Sequence, residues 1–488
     1  MRTFRIAPIV NPPNQPSVPH GSVPRRNRTT PHKVAWIGSC LATFIATVLD
    51  AQTIPVDDFR IWAKTHAHSI TIGDGDTPFK DSSPVAKIIG KTRVVALGEP
   101  IHGAHEPLAA RNQLIRYLVT QQDFKAVALE TGLSTSKRLC DYVLGNSTES
   151  ASEAATAFSY GFDAYKENFE LLRWLRSYNL AHPAPQRVAI YGIDLTGQGF
   201  PTAYRSLEAV LTFLGLADAQ LGSTMCADFA DILPKFRIDR YPLLPQTEKD
   251  QISIKIHDLV ALLRRQRPQL TAATSLDDYE WALRQAVNAE QDDAYLRLAP
   301  SNWRGWASGL PQKPSPEFAD FRFRETQTMR EVAMSDNLRW VLERAGPRGR
   351  VIFFAHNNHV KTHELRVRPG EPDAKVWDGL QQAGVFLRST LGEDYVAIGM
   401  YYGTAKGFPA STEVLPPNPQ GVEGLLASLG FEAYLIDLRE LPKAGPLAEW
   451  FGQVHEVRDS LDGISLVRSL KAYDAILYLE QLTPSQQP

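Results

Sequence analysis

The chain has 488 residues, 43% of them hydrophobic and 22% charged, which are the proportions of an ordinary globular protein. Its formal net charge is −2, and the charged residues are spread along the chain without a basic patch. This balance excludes a nucleic-acid-binding protein from the functions that we consider.

The first 51 residues differ from the rest and predict an export signal. Residues 1–32 are rich in Pro, Asn and Arg, a composition typical of disorder, and residues 34–49 form an apolar run behind a basic cluster. A basic segment, a short apolar run and a small residue, here Ala51, are the parts of a signal peptide. The run is short for a membrane span, although an uncleaved anchor is the alternative. We therefore expect a periplasmic or secreted protein that is not inserted in the membrane after cleavage.

Short apolar runs alternate with helical patterns in the early part of the predicted mature domain, residues 52–488. Buried strands are predicted at 94–97, 126–129 and 188–191, and helices at about 106–121, 139–144 and 169–180. This alternation is typical of an α/β fold, in which helices flank a mostly parallel sheet.

Strand patterns disappear between residues 201 and 345, where the periodicity predicts long helices. They return at 351–354, 395–400, 433–437 and 475–479. Because the late strands must complete the early sheet, we predict one domain with a core of residues 85–200 and 346–482. Residues 201–345 are predicted to form an inserted all-helical subdomain.

Ionisable or carboxamide residues follow four of the predicted strands. These residues are Glu99 and His102, then Glu130, then Asp194, and finally His356, Asn357, Asn358 and His359. The carboxyl ends of parallel strands face the crevice in which ligands bind, so we expect these side chains around one pocket. Such a set of acids and histidines suits a hydrolase that activates water.

The turn from Gly98 to Gly103 holds a carboxylate and an imidazole, Glu99 and His102, three residues apart. A histidine can take a proton from water near neutral pH, and a carboxylate beside it fixes its tautomer. His102 is therefore the candidate general base. The alternative is a loop histidine that binds a backbone carbonyl.

Two arginines, Arg111 and Arg330, share the apolar faces of predicted helices. A buried arginine is almost always paired, so we expect Arg111 to meet Glu99 or Glu130, while Arg330 could instead extend outward to solvent. Glu130 itself ends a buried strand and must either be neutralised by a cation or work as an acid or base. Asp194, by contrast, is predicted to cap the next helix.

The histidine spacing makes a metal site an alternative to be weighed. His102 with His105, and His356 with His359, have the HxxH spacing of many zinc ligands, but neither pair belongs to an HExxH helix and no CxxC pattern occurs. We therefore prefer a site without metal or cofactor, in which His356 and His359 donate hydrogen bonds to a developing oxyanion.

A covalent nucleophile has little support in the sequence. There is no G-x-S-x-G elbow, and Ser134 and Ser136 follow Gly132 with the wrong spacing. Cys140 and Cys226 could pair in an oxidising compartment, which their spacing does not decide. Water is therefore the predicted nucleophile.

In combination and order, these segments resemble the erythromycin esterase family. The resemblance runs from about Lys91 to Leu479 and is carried by Gly98 and Glu99 with His102, Glu106 and Arg111, by 127–130, by 191–194, by the 330–340 helix with Met334 and Asn337, and by 355–359. It implies that His102 is a general base acting on water without a required metal. It also implies catalytic roles for Glu99, Glu130, Arg111, His356 and His359.

Esterases of that family open the macrolactone ring of fourteen-membered macrolides, which confers antibiotic resistance, and many relatives have no known substrate. The resemblance thus implies a carboxylic ester hydrolase with a small-molecule ester substrate, and we assign Asn357, Asn358 and Arg330 to substrate binding. Pro100 varies the first motif, and the export signal departs from the cytoplasmic resistance esterases. A metal-dependent hydrolase or peptidase, and a haem- or metal-binding protein on a related core, are the alternatives.

Overall fold

A sheet of eight strands forms the centre of the described structure. In chain order its strands are β1 (Ala67–Ser69), β2 (Val94–Glu99), β3 (Ala126–Gly132), β4 (Ala189–Asp194), β5 (Val351–His356), β6 (Tyr395–Ala405), β7 (Ala433–Asp437) and β10 (Ala475–Leu482), while β8 (His455–Arg458) and β9 (Ile464–Val467) form a separate antiparallel pair. The order across the sheet is β1-β7-β10-β6-β2-β5-β3-β4. Neighbouring strands are parallel except at β7, which is antiparallel to β1 and β10.

The computed structural model describes residues 55–73, 83–196, 202–299, 321–367, 378–408, 416–458 and 463–488. The predicted leader, residues 1–51, lies outside these ranges. Within them, we find no helix with the length and apolar character needed to cross a membrane.

Helices flank the sheet, and this confirms the predicted α/β class. In chain order they are α1 (Val56–His66), α2 (Ser83–Ile89), α3 (His105–Gln122), α4 (Leu133–Leu144), α5 (Ala151–Ala155), α6 (Lys166–Ala181), α7 (Tyr204–Ala217), α8 (Ala219–Phe229), α9 (Gln246–Arg265), α10 (Arg267–Ala273), α11 (Leu276–Leu298), α12 (Phe321–Arg344), α13 (Asn357–Val360), α14 (Ala383–Leu391), α15 (Val422–Ala427), α16 (Pro446–Phe451) and α17 (Ser469–Ala472).

The middle strands β2 and β5 are buried along almost their whole length, with only His356 at the end of β5 partly exposed. Continuous apolar runs fit such strands because both faces of the sheet are covered. Since β2 and β3 both lie parallel to β5, their carboxyl ends meet at one edge, where Glu99 is in register with His356. This register brings Glu99, Glu130 and His356 to the same crevice.

Helices α7 to α12 lie between β4 and β5 in the chain. Side chains from α7, α9 and α11, including Leu207, Leu259 and Ala286, pack in a cluster separate from the core around the sheet. Helix α12 contacts both, since Ala333 belongs to the helical cluster and Met334 to the sheet core. α12 therefore carries side chains to the ends of β3 and β4, while the bounds 201–345 of the insertion stay a prediction.

Gly98 in β2 allows the segment after β5 to pack directly on the sheet. The side chain of Asn357 donates from Nδ2 to the carbonyl of Met400 at 2.7 Å and accepts the Met400 N–H at 3.1 Å, which ties α13 to β6. A Cβ atom on Gly98 would clash with Asn357 Oδ1 and lie 2.8 Å from Cγ2 of Val360. Glycine therefore leaves the space that this amide bridge needs.

We predict that Gly98→Ala lowers the free energy of unfolding by about 1–3 kcal/mol, because the new methyl group overpacks a buried contact. Denaturant unfolding followed by circular dichroism measures the change. Gly215→Ala is the matched control: Gly215 lies in α7, a methyl group added there would have nothing within 4 Å, and this change should stabilise the helix by up to about 1 kcal/mol. Equal stability of Gly98→Ala and wild type would show that the packing is looser than described.

Candidate active site

His102 lies in the turn after β2 and faces two carboxylates. Its Nδ1 donates to Oε1 of Glu99 at 2.8 Å, and its Nε2 lies 3.9 Å from Oε1 of Glu130 at the end of β3. The His102 side chain is 39% exposed, whereas both carboxylates are buried. A histidine that donates from Nδ1 keeps a lone pair on Nε2, so the basic nitrogen points toward Glu130.

Glu130 is the centre of a buried hydrogen-bond network. Its Oε1 accepts from Nη2 of Arg330 at 3.0 Å and from Nε2 of His359 at 3.1 Å, and its Oε2 accepts the backbone N–H of His356 at 2.8 Å. Although burial acts to raise the pKa of Glu130, His359, His102 and Arg330 outweigh it and hold that pKa well below the usual range. Glu130 is therefore ionised, and its charge is shared among donors from three elements.

Arg330 on α12 joins Glu130 to Asp194 at the end of β4. Its Nε donates to Oδ1 of Asp194 at 3.0 Å, and its Nη2 donates to Oδ2 at 2.5 Å. Burial alone would lower the pKa of Arg330, but Asp194 and its other neighbours raise it. Arg330 thus turns inward instead of extending to solvent, and Asp194 binds this arginine where the sequence predicted a helix cap.

His359 lies between two acids and is positively charged. Its Nδ1 donates to Oε2 of Glu331 at 2.9 Å, on the side of the ring opposite its contact with Glu130. Burial lowers the pKa of His359, but Glu331 and Glu130 outweigh burial and raise it to about 10. Both ring nitrogens of His359 are donors to carboxylates in this conformation, and its hydrogen bond to an oxyanion stays a prediction.

The charges around His102 favour its protonated form. Burial lowers the pKa of His102, but the Glu130 carboxylate and the hydrogen bond to Glu99 outweigh it and raise the pKa above 6.5. The positive charge of His359 acts in the opposite direction. His102 therefore takes up a proton more readily beside these two acids than a free imidazole does.

His356 and the two asparagines behind it have structural partners. His356 Nε2 donates to the carbonyl of Pro100 at 3.2 Å, and its Nδ1 accepts the N–H of Asn358 at 3.2 Å. The Asn357 amide binds the backbone of Met400, and Asn358 accepts a hydrogen bond from Lys361. The contacts of both asparagines with substrate, and the role of His356 as an oxyanion donor, stay predictions.

Arg111 is buried, but its predicted ion pair with Glu99 or Glu130 is wrong. The guanidinium donates to Oδ1 of Asn112 at 2.9 Å and to Oδ1 of Asn168 in α6 at 2.7 Å. These amides lie closer because Glu99 turns toward His102 and Glu130 toward α12. Burial lowers the pKa of Arg111 to about 10, so the group keeps its charge at neutral pH.

A narrow pocket lies between these groups and an aromatic loop that joins α5 to α6. Glu99, Arg111 and Glu130 line it together with apolar side chains that include Phe162. The Phe162 ring lies 5.1 Å from the His102 ring, and the Phe162 carbonyl accepts from Asn168 at 2.8 Å, so Arg111 supports the loop through Asn168. Oε2 of Glu99 is buried and has no hydrogen-bond partner among the described residues.

The two HxxH pairs do not form one metal-binding cluster. His105 Nδ1 donates to Glu167 at 2.6 Å, away from His102 and its acids. In the part of the chain that the structure describes, no group of three or more His, Cys, Asp or Glu side chains is placed to hold a metal ion. Cys140 is buried, Cys226 is exposed, and the two are not joined in a disulfide.

Glu331 and the aromatic loop are parts of the site that the sequence reasoning missed. Glu331 lies three residues before Met334 and seven before Leu338, so the helical stripe that revealed Arg330 also contained it. Tyr160 in the loop adopts a φ of 63° and donates its hydroxyl to Asp194 at 2.6 Å. No sequence signal marks this position, because positive φ is rare for a non-glycine residue.

Comparisons with known proteins agree with the fold and the motif order. The family model described as erythromycin esterase matches residues 119–482. The chain is 23% identical to an erythromycin esterase type II of Escherichia coli over 453 residues, which cover 88% of this chain and 99% of the relative. The fold is shared with the crystal structure of a Bacillus cereus protein, which has a TM-score of 0.71 and 20% identity; the match covers 89% of this chain and 100% of that one. It is also shared with a mutant of the erythromycin esterase EreC in its open conformation, which has a TM-score of 0.60 and 20% identity; the match covers 86% of this chain and 98% of that one.

We predict that Arg330→Met lowers the free energy of unfolding by about 3–5 kcal/mol, because it leaves the buried Asp194 without its arginine and removes one of the two cations that bind Glu130. Urea unfolding measures the loss. Adding Asp194→Asn to the same chain should recover part of it, since the second change removes one stranded charge. A loss below about 1 kcal/mol in the single variant would contradict the buried ion pairs.

We also predict that the charged state of His359 gives the protein a pH-dependent stability. The pKa is about 10 in the folded chain and near 6.5 when unfolded, so the contribution is complete below 6.5 and is lost as pH rises toward 10. Across this window His359 should lower the free energy of unfolding by up to about 1.4 kcal/mol per pH unit. Urea titrations of wild type and His359→Gln give the difference between the slopes, and identical slopes would mean that His359 is neutral.

Proposed function

Because the chain belongs to the erythromycin esterase family, we propose that it hydrolyses carboxylic esters by means of a water molecule that His102 activates. The family and the Escherichia coli relative support a hydrolase. The observation that carries the finer proposal is the hydrogen bond from His102 Nδ1 to Glu99, which leaves Nε2 as the basic nitrogen, 3.9 Å from Glu130, a residue that lines the pocket.

In the proposed reaction, Nε2 of His102 takes a proton from water while the oxygen of that water attacks the ester carbonyl. The imidazolium that forms lies between Glu99 and Glu130, which stabilise its positive charge. When the tetrahedral intermediate collapses, the same Nε2–H returns the proton to the leaving alkoxide. The products are a carboxylic acid and an alcohol, and His102 is again neutral.

Arg111 is the candidate donor to the oxyanion in this scheme. His356 and His359 have both ring nitrogens engaged, so they are poorly placed to donate to it. The three hydrogen bonds of Arg111 use one N–H each from Nε, Nη1 and Nη2, and a guanidinium has five. Two N–H groups of Arg111 therefore remain, and this charged side chain lines the pocket together with Glu99.

Membership of the family supports an ester as the proposed substrate, and a fourteen-membered macrolide is the first ester to test. Hydrolysis of its macrolactone would add one water to the molecule. The same assay, run after chelation with and without added metal, distinguishes this proposal from the alternative of a metal-dependent hydrolase. Export of the chain stays a prediction.

We predict that the purified protein, treated with chelator, adds one water to erythromycin, and that His102→Asn lowers this rate by about 10²–10⁴-fold. Mass spectrometry detects the product, and circular dichroism establishes that the variant is folded. Because the pKa of His102 is raised, the rate should fall as pH drops through a midpoint above 6.5.

His105→Asn is the matched control, since it changes a nearby histidine, the first residue of α3, whose ring binds Glu167. It should keep the rate of hydrolysis within a few-fold of wild type. A folded and fully active His102→Asn protein would rule out His102 as the base. Activity that requires added zinc after chelation would replace this proposal by the metal-dependent one.

A further inference from the structure

Glu331 holds the ring of a buried histidine against α12, and we infer that it is a positioning residue that acts on His102 through His359. Glu331 keeps His359 positively charged. That charge lies beside Glu130 and partly offsets the effect by which the Glu130 carboxylate favours a protonated His102. The role rests on the proposed function, because it affects a rate only if His102 is the base.

The contacts of Glu331 account for the charged state of His359. Glu331 is 2% exposed, and its Oε2 accepts both the Nδ1–H of His359 and the N–H of Ala383, the first residue of α14, each at 2.9 Å. Oε1 of Glu331 lies 2.8 Å from the same Nδ1. On the other side of the ring, Nε2 donates to Oε1 of Glu130 at 3.1 Å. An imidazole that donates from both nitrogens carries a proton on each and is positive.

One oxygen of Glu130 faces both histidines. Oε1 lies 3.1 Å from Nε2 of His359 and 3.9 Å from Nε2 of His102, so the two nitrogens are no farther apart than the sum of these distances. At such a separation, a positive His359 disfavours a second positive charge on His102. The other groups that face the pair are the carboxylates of Glu99 and Glu331, the guanidinium of Arg330 and the neutral ring of His356.

Glu331→Gln removes the charge and keeps the size of the side chain. His359 then loses the carboxylate that most favours its extra proton, and its pKa falls. Glu130 is less neutralised as a result, so the pKa of His102 should rise by about one unit. Since only neutral His102 can act as a base, hydrolysis below this pKa should fall about tenfold and the acid limb should move to higher pH.

The experiment is a pH titration of the histidine rings by nitrogen NMR, using the full chain with isotope-labelled histidine. His102→Asn and His359→Gln assign the two rings. In wild type we expect His359 to stay charged through about pH 9, and in Glu331→Gln we expect it to lose its proton at lower pH while His102 titrates about one unit higher.

Glu423→Gln is the matched control. Glu423 is also 2% exposed, accepts a backbone N–H, from Arg458 at 2.7 Å, and faces a buried cation, but it lies away from the histidines. This variant should lose stability without moving the titration of either ring. Glu331→Asp should keep the wild-type titration, because it retains the carboxylate charge.

An unchanged or lowered pKa of His102 in Glu331→Gln would overturn the inference, as would an equal shift in Glu423→Gln. If Glu331→Gln does not fold, His359→Gln removes the same positive charge, and the same upward shift of His102 is required. The NMR result does not depend on ester hydrolysis. A shift of His102 without esterase activity would therefore reject the proposed function alone, and activity without the shift would reject the role of Glu331 alone.

Discussion

The carboxylate of Glu130 at the end of a buried strand is the constraint on which this site depends. A negative charge with 6% exposure is stable only if donors surround it, and the fold supplies them from three directions. Arg330 comes from α12, His359 from α13 and the N–H of His356 from β5. The sheet register and the long helix after the insertion are therefore held together at the point where the chemistry is proposed.

In this network Arg330 and His359 keep their positive charges, whereas the charge of His102 can change. Arg330 and His359 are each bound by two carboxylates, so their protons are held firmly. His102 is more exposed, binds Glu99 through one nitrogen and leaves the other nitrogen at a longer distance from Glu130. Within the described part of the chain, the motif histidine suited to exchanging a proton with water is thus His102, and the neighbouring charges set the pH at which it does so.

The sequence predicted well what depends on periodicity and on strand ends, and poorly what depends on side-chain direction. Apolar runs located the strands, and the residues after them located Glu99, His102 and Glu130. A helical stripe showed that Arg111 would be buried but not that amides of Asn112 and Asn168 would satisfy it, because the stripe does not show side-chain direction and Asn168 comes from another helix. The spacing of HxxH likewise did not indicate that His102, His105 and His359 would bind different acids and that His356 would bind backbone groups. No periodicity or motif in the sequence indicated the aromatic loop between α5 and α6.

The most direct test of this account is the protonation state of the three motif histidines in the wild-type protein at about pH 8.5, read from the nitrogen shifts of labelled rings. The account predicts that the neutral form of His102 has its proton on Nδ1, that His356 is neutral with its proton on Nε2, and that His359 carries both protons. A neutral His359, or a His102 whose single proton lies on Nε2, would contradict it. Either result would move the basic nitrogen away from the pocket or remove the charge that tunes it.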